Sequence, residues 1–286
     1  IRYQFRWLPI LEVKSASVQR VLILLGPRVL TMACIQAYFV ARDSLGSRFD
    51  AVGVGALNLA WTIEQVPETI IGSAIAVAIL PSLAEFIDRG QIADFTRTVN
   101  RALRIMLALC LPAAVLIGLT VRPLAGAFFG FEGTRLDLLT VCTWAFLAGL
   151  VGDTWLEVAV RSYYANLNTR TPLIAAALQV SMFVLLSLVL PRWIGLAGIP
   201  LAAALTFTTQ ALGLLVLLNR RFPGLLDVGN TAARALGGAL AAGVLTAALI
   251  HFLPLSSVPA ALAALVGGGL IAAPFIWREV RLLMNL

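Results

Sequence analysis

The chain has 286 residues, 60% of them hydrophobic and 12% charged, with a mean hydropathy of +0.94, against roughly 25% charged in ordinary soluble domains. No soluble core of this length has enough polar surface to cover so much apolar side chain, so a water-soluble globule is excluded and a polytopic membrane protein remains. The net charge of +7 comes from 21 basic and 14 acidic residues, every basic one except Lys14 being arginine. In a membrane protein that surplus reports orientation before it reports nucleic acid, and no nucleic-acid partner is expected.

Backbone facing lipid must be hydrogen-bonded internally, and the long apolar runs lack the period-two alternation of barrel strands, so the fold class is all-α. The chain opens on Ile1, and Arg2, Arg6, Glu12, Lys14 and Arg20 leave no apolar signal-peptide core in its first twenty residues. Residues 1–20 therefore read as a cytoplasmic connecting segment of a longer chain whose upstream part is missing. The first span is expected over 21–41, with Arg28 one turn in and Gln36 further along. Residues 51–86 are too long for one straight span and hold Asn58, Glu64, Pro67 and Glu68. Pro67 lacks an N–H and clashes with the preceding turn, which predicts a kink there and a hinge. Spans over 95–121 and 136–164 follow, the second carrying Asp153, Glu157 and Arg161.

Beyond them, 21 uncharged residues separate Arg170 from Arg192 and 27 separate Arg192 from Arg220. Another 43, interrupted only by His251, separate Arg234 from Arg278. Breaks at 191–195, 222–230 and 251–259, the last with Pro254, Ser256 and Ser257, divide these runs into four helices. The expectation is eight helices: a six-helix lobe over 21–221 and two additional transmembrane helices within 222–286. With the N-terminal segment inside, 15 basic residues fall on the inner side and 5 on the outer, which places both ends in the cytoplasm of a multi-pass cytoplasmic-membrane protein.

Ionisable side chains inside spans are costly and usually face a cavity, so they are the default site candidates. Asp153, Glu157 and Arg161 are spaced i, i+4, i+8 and share a helix face; equally, Glu157 and Arg161 can form a self-neutralising pair near the interface. Glu64 and Glu68, also i, i+4, straddle Pro67, with Glu68 alternatively exposed to polar loops. Arg28 fits a headgroup contact as well as a cavity, and Gln36 and Asn58 fit interhelical hydrogen bonds as well as substrate contacts. A single histidine, His251, and the absence of nucleotide-binding or serine-hydrolase motifs leave no catalytic residue, metal site or cofactor to name. Cys34, Cys110 and Cys142, in apolar stretches without ligand-like spacing, read as packing residues.

Several segments in order resemble the second half of the MurJ/MviN lipid II flippase family, within the larger group of multidrug, oligosaccharidyl-lipid and polysaccharide exporters. They are Gly26-Pro27-Arg28 with Gln36, Ala56-Leu57-Asn58-Leu59-Ala60-Trp61 running to Pro67, Ile79-Leu80-Pro81-Ser82-Leu83, Leu111-Pro112 and Phe128-Phe129-Gly130-Phe131. The most specific is Arg161-Ser162-Tyr163-Tyr164-Ala165 followed by Asn168-Thr169-Arg170-Thr171-Pro172, similar to the family's R-x-F-Y-A-x-x-D-T-x-T-P, and Gly195-Leu196-Ala197-Gly198 fits its glycine turn. The resemblance covers roughly Gly26 to Gly224. It implies a fourteen-helix fold in which two six-helix lobes rock about a cationic cavity, with two extra helices sheltering a lipid tail, and this chain as helices seven to fourteen. The implied partners are the bilayer, a lipid-linked glycan and the missing N-terminal six-helix lobe.

Two positions depart from the family pattern. Thr62 stands where the family often carries an arginine five residues before the kink proline, and Arg42, with Asp43 beside it, stands where many members are acidic. The resemblance thus implies flipping of a peptidoglycan precursor by alternating access, through a cavity lined by Arg28, Gln36, Arg42, Asn58, Thr62, Glu64, Asp153, Glu157 and Arg161. The alternatives are export of another lipid-linked polysaccharide unit and an inactive transporter-like scaffold for cell-wall assembly.

Overall fold

The computed structural model describes residues 16–49, 51–252 and 257–283, and among these every element is helical and no strand occurs. Helix α1 (Ala16–Gly46) starts five residues ahead of the expected span and runs through Pro27. The rest of the expected connecting segment, 1–15, lies outside the described residues. Helix α2 (Ala51–Pro67) ends on the proline, which has no N–H to return to the carbonyl one turn back. The chain answers with a π-helical turn, Glu68–Ser73, before resuming as α3 (Ala74–Asp88). The kink expected at Pro67 is therefore a widened turn. Helix α4 (Ile92–Phe129) absorbs Pro112 and Pro123 and stops at Gly130, whose φ of +61° makes the left-handed cap.

Residues 136–164, expected as one helix, form two. Helices α5 (Gly133–Leu147) and α6 (Leu150–Ala165) bend by 42° at Ala148 and Gly149. The cause is a close approach from elsewhere in the chain: a Cβ on Gly149 would lie 2.6 Å from the Cα of Ala204. Helix α7 (Arg170–Val189) leads through the short α8 (Pro191–Ile194) and a 3-10 turn, Gly195–Ala197, into α9 (Gly198–Arg221), which carries Ala204. Helices α10 (Gly229–Phe252) and α11 (Ser257–Leu283) complete the order. The expected break at Pro254 and Ser256 lies outside the described residues.

By length and apolarity, five helical stretches among the described residues qualify as membrane spans, or six if the bent α5–α6 pair counts as one. The longest, Arg170–Arg221, is a hairpin in which α7 packs on α9. Helix α1 adds a further 31 residues, about 46 Å at 1.5 Å per residue. Eight spans follow only when α1 is counted and the hairpin is split.

Two apolar cores organise the bundle. One joins α3, α4, α6 and α9 through Leu83, Leu103, Met106, Val158 and Leu214; the other joins α1, α2, α5, α7 and α9 through Tyr38, Leu57, Leu139, Phe183 and Ile199. Helix α6 is pinned on both sides, since Trp155 Nε1 donates to the carbonyl of Leu103 (3.0 Å) and the Tyr163 hydroxyl donates to that of Leu214 (3.1 Å). Helices in lipid associate through close packing of small residues. Accordingly α10 and α11 bury Ala235, Ala239, Ala242, Ala260, Ala261 and Ala264 and expose Leu236, Leu240, Val244 and Leu262, Val266, Leu270. Each exposed set repeats every four residues, so each forms one stripe toward lipid.

The contact that breaks α5 from α6 makes a stability prediction. Gly149→Val, with Ala204 backbone in its way, should cost about 1–3 kcal/mol, read as a lower thermal midpoint of the full-length protein in detergent. Gly213→Ala, on the same α9 but with nothing within 4 Å of its new Cβ, should leave the midpoint unchanged. Equal midpoints for both would show that the seam between α6 and α9 is not tight.

Candidate functional site

The π-helical turn packs directly on α6. Gly72 lets it approach, because a Cβ there would stand 2.7 Å from Thr154 Cγ2. This brings Glu64 of α2 and Glu68 of the π-helical turn toward the acidic residues of α6. Glu64 is fully buried, and neither of its carboxylate oxygens has a hydrogen-bond donor. Its carboxyl lies near that of Asp153, in the first turn of α6. Glu68 opens the π-helical turn and accepts hydrogen bonds from the hydroxyls of Ser73 and Thr69, each at 3.3 Å. The exposed-loop alternative for Glu68 does not hold, since it is 8% exposed.

One turn beyond Asp153, Glu157 pairs with Arg161, which also donates to the Glu157 carbonyl at 3.1 Å. The sequence alternative of a self-neutralising pair is therefore the arrangement found, yet Glu68 lies close enough to feel both charges. Helix α6 stays unbroken from Leu150 to Ala165, so Asp153, Glu157 and Arg161 share the expected face. Arg28, exposed on α1, lies over the ring of Tyr164 at 5.5 Å, which sets it beside the Arg161 end of that face.

Arg42 is built into the protein. Its side chain is 5% exposed, bonded to Asp43 at 2.9 Å and to Asn58 Oδ1 at 2.6 Å, and it sits over the rings of Phe39 (5.1 Å) and Trp61 (5.5 Å). Its Nη1 has no partner. A guanidinium between aromatic faces with a carboxylate at its edge is a stable way to keep a charge inside a membrane protein. Asn58 is thus an interhelical partner of Arg42, as one of its two sequence readings allowed. Fourteen residues of α1 separate Arg28 from Arg42, about 21 Å along the axis. Gln36 and Thr62 are exposed; Thr62 donates to the carbonyl of Asn58 (2.8 Å), and no hydrogen bond or ion pair joins Gln36 to the cluster among the described residues. Pro67 is buried at the junction of α2 and the π-helical turn.

Sequence reasoning missed three participants. Tyr38, 1% exposed, packs against Phe183 and Phe207 and carries a hydroxyl without a hydrogen-bond partner, near the charges of Arg42, Glu64 and Asp153. The bend at Ala148 and Gly149, just ahead of Asp153, was hidden in an apolar run. Glu279, 1% exposed near the end of α11, gathers Arg104, Arg234 and Thr231. No group of three or more histidine, cysteine or acidic side chains suited to a metal ion occurs among the described residues.

A family model described as lipid II flippase MurJ matches residues 1–267. The probable lipid II flippase MurJ of Rhizobium meliloti (strain 1021) is 30% identical over 275 residues, covering 91% of this chain and 50% of the relative. That of Rhizobium tropici is 28% identical over 210 residues, covering 72% and 39%. The chain thus spans about half the length of the curated relatives it matches. Among solved structures, lipid II flippase MurJ in an inward closed conformation superposes with a TM-score of 0.76 at 20% identity, over 99% of this chain and 58% of that one. An outward-facing multidrug resistance MATE family transporter of the MOP superfamily gives 0.58 at 14% identity, over 91% and 67%. These likenesses fix the fold.

A buried carboxyl without a donor is a stability cost. Glu64→Leu in the full-length protein should therefore hold or raise the thermal midpoint, by about 1–3 kcal/mol at most, whereas Arg42→Ala should lower it by a similar amount through its lost bonds and ring contacts. A Glu64→Leu protein that melts earlier than the wild type would show that the carboxyl is satisfied.

Proposed function

The chain belongs to the lipid II flippase MurJ family, and we propose that it forms the second lobe and two-helix extension of a flippase carrying lipid-linked peptidoglycan precursor across the cytoplasmic membrane. The observation that carries the reading is the meeting of two broken membrane helices, the π-helical turn after Pro67 and the start of α6, at a cluster of four carboxylates and Arg161. Transporters commonly place their substrate and coupling sites at discontinuous helices near the midplane, where unpaired backbone can face a wet cavity. Ionisable groups grouped at such breaks within membrane helices mark a functional site.

In this reading Arg28 and Arg161 form the entry end of the wall and take the pyrophosphate. Glu157 holds Arg161 extended when no substrate is present, and an arriving pyrophosphate replaces it by offering more oxygens to the same guanidinium. Gln36, Asn58 and Thr62 line the wall toward Arg42, whose place among aromatic rings sets the far end. The Pro67 turn lets the two halves of the second span rotate as the lobe opens to alternate sides. The basic residues on the inner side put both ends of the segment in the cytoplasm. The upstream lobe supplies the facing wall.

A second cargo, another lipid-linked polysaccharide unit, is favoured by Thr62, a hydroxyl where the family often carries an arginine. In vesicles holding the full-length protein, Arg161→Glu and Arg28→Glu should each slow the outward appearance of the lipid-linked precursor by about tenfold or more, the worth of one charge-assisted hydrogen bond. Unchanged transport in both would sink the proposal. Faster movement of a different lipid-linked glycan by the wild type than of the peptidoglycan precursor would select the second cargo.

A further inference from the structure

The last two helices meet α4 around a cavity of about 400 Å³ whose lining includes none of the wall residues described above. Three guanidiniums from three helices converge on it: Arg104 of α4, Arg234 of α10 and Arg278 of α11. Their sequence separation is large, so the grouping is a product of the fold. Glu279 fixes two of them, its Oε1 accepting from Arg104 Nη2 at 3.2 Å, Arg234 Nη1 at 3.3 Å and the Thr231 hydroxyl at 3.2 Å. Arg104 Nε also donates to the Thr231 hydroxyl (2.8 Å) and Arg234 Nη2 to the carbonyl of Phe275 (2.8 Å). Arg278 is exposed and forms no ion pair or hydrogen bond among the described residues. Against these stand the buried Glu279, engaged by its two arginines, and Asp227 at the exposed rim, so the lining is positive by one charge.

The remaining wall is the N-terminal turn of α10, with Asn230 and Thr231. Its unpaired amides and positive dipole end favour an anion. The level of the cavity is marked by Trp277, 52% exposed one residue before Arg278, with Arg281 lying over its ring at 5.6 Å. Amphipathic aromatics stacked with arginine mark the headgroup zone of a membrane. Toward the middle of the same helix runs the lipid-facing stripe of Leu262, Val266 and Leu270, so a phosphate in the cavity can keep its acyl chains in the bilayer.

We propose that this cavity binds the phosphate of an anionic membrane phospholipid, seated between α4 and the two-helix extension. Guanidiniums held in fixed planes suit a phosphate's paired oxygens. The proposal does not depend on which cargo the full-length protein moves. Its test uses that protein in nanodiscs of phosphatidylcholine with or without phosphatidylglycerol, followed by native mass spectrometry of the lipids that stay bound. The wild type should retain phosphatidylglycerol in preference to phosphatidylcholine. Arg278→Gln, which lies outside the buried Glu279 cluster and leaves it intact, should lower that retention about fivefold, and Arg278→Lys should restore most of it. Equal retention of both lipids by the wild type, or unchanged retention by Arg278→Gln, would overturn the proposal. Loss of the lipid on adding millimolar inorganic phosphate would assign the cavity to free phosphate and overturn the lipid reading.

Discussion

Lipid offers no hydrogen bonds, so a helix that breaks inside the membrane must turn its unpaired amides and carbonyls toward protein or water. Two of the chain's long helical stretches break, at the π-helical turn Glu68–Ser73 and at Ala148–Gly149, and the fold sets the two breaks side by side. Three glycines permit it. Gly72 gives way to Thr154, Gly149 to Ala204, and Gly152 to Thr208, each position leaving no room for a Cβ. Once these contacts are made, α6 has one placement between the second span and α9, and the positions of Asp153, Glu157 and Arg161 follow. The site therefore rests on side chains that are absent at glycine as much as on those present.

The charges obey a similar economy. A lone arginine or carboxylate in hydrocarbon is expensive, whereas one held by neighbours keeps its charge and its orientation. Arg42 is held by Asp43, Asn58 and two rings, and Arg161 by Glu157. Glu64 has no such donor, and its neighbour across the gap is another carboxyl. In the proposed wall, that asymmetry gives two kinds of group: arginines stabilised by partners, and a buried carboxyl pair without a basic partner.

Much of this was legible in the sequence, for reasons that can be stated residue by residue. Uncharged runs bounded by arginine gave the hydrophobic stretches, and Pro67 between Glu64 and Glu68 marked the distortion, because proline's missing N–H acts locally. The i, i+4, i+8 spacing of Asp153, Glu157 and Arg161 held because α6 is continuous there. The break ahead of it was not legible, since Gly149 within an apolar run looks like any packing glycine and its reason, Ala204, lies in another helix. Tyr38 reads as one more core aromatic until the groups around its hydroxyl are known. The motif from Arg161 to Pro172 proves divided. Arg161 joins the charged face, but Asn168 takes the Thr171 amide at 3.1 Å and donates to its hydroxyl at 3.0 Å, so that half shapes the turn into α7.

The long α4 joins the last two helices to the rest of the bundle. It carries buried residues from Phe95 to Ala125 and packs on α3, α5, α6, α10 and α11. Its contacts to α6 are apolar and reinforced by the Trp155 bond, while its contact to the extension ends in the Arg104–Glu279–Arg234 cluster. Interdigitated apolar seams resist sliding because any shift opens voids, and a buried carboxylate shared by two guanidiniums resists separation because either partner leaving strands a charge. Helix α4 is thus fixed to α6 and to α11 at two adjacent residues, Leu103 and Arg104. Helix α1 rests mainly on α7, and α2 mainly on α5. In the proposed transport cycle, motion of the wall would be carried where the helix is already widened, at the turn that follows Pro67.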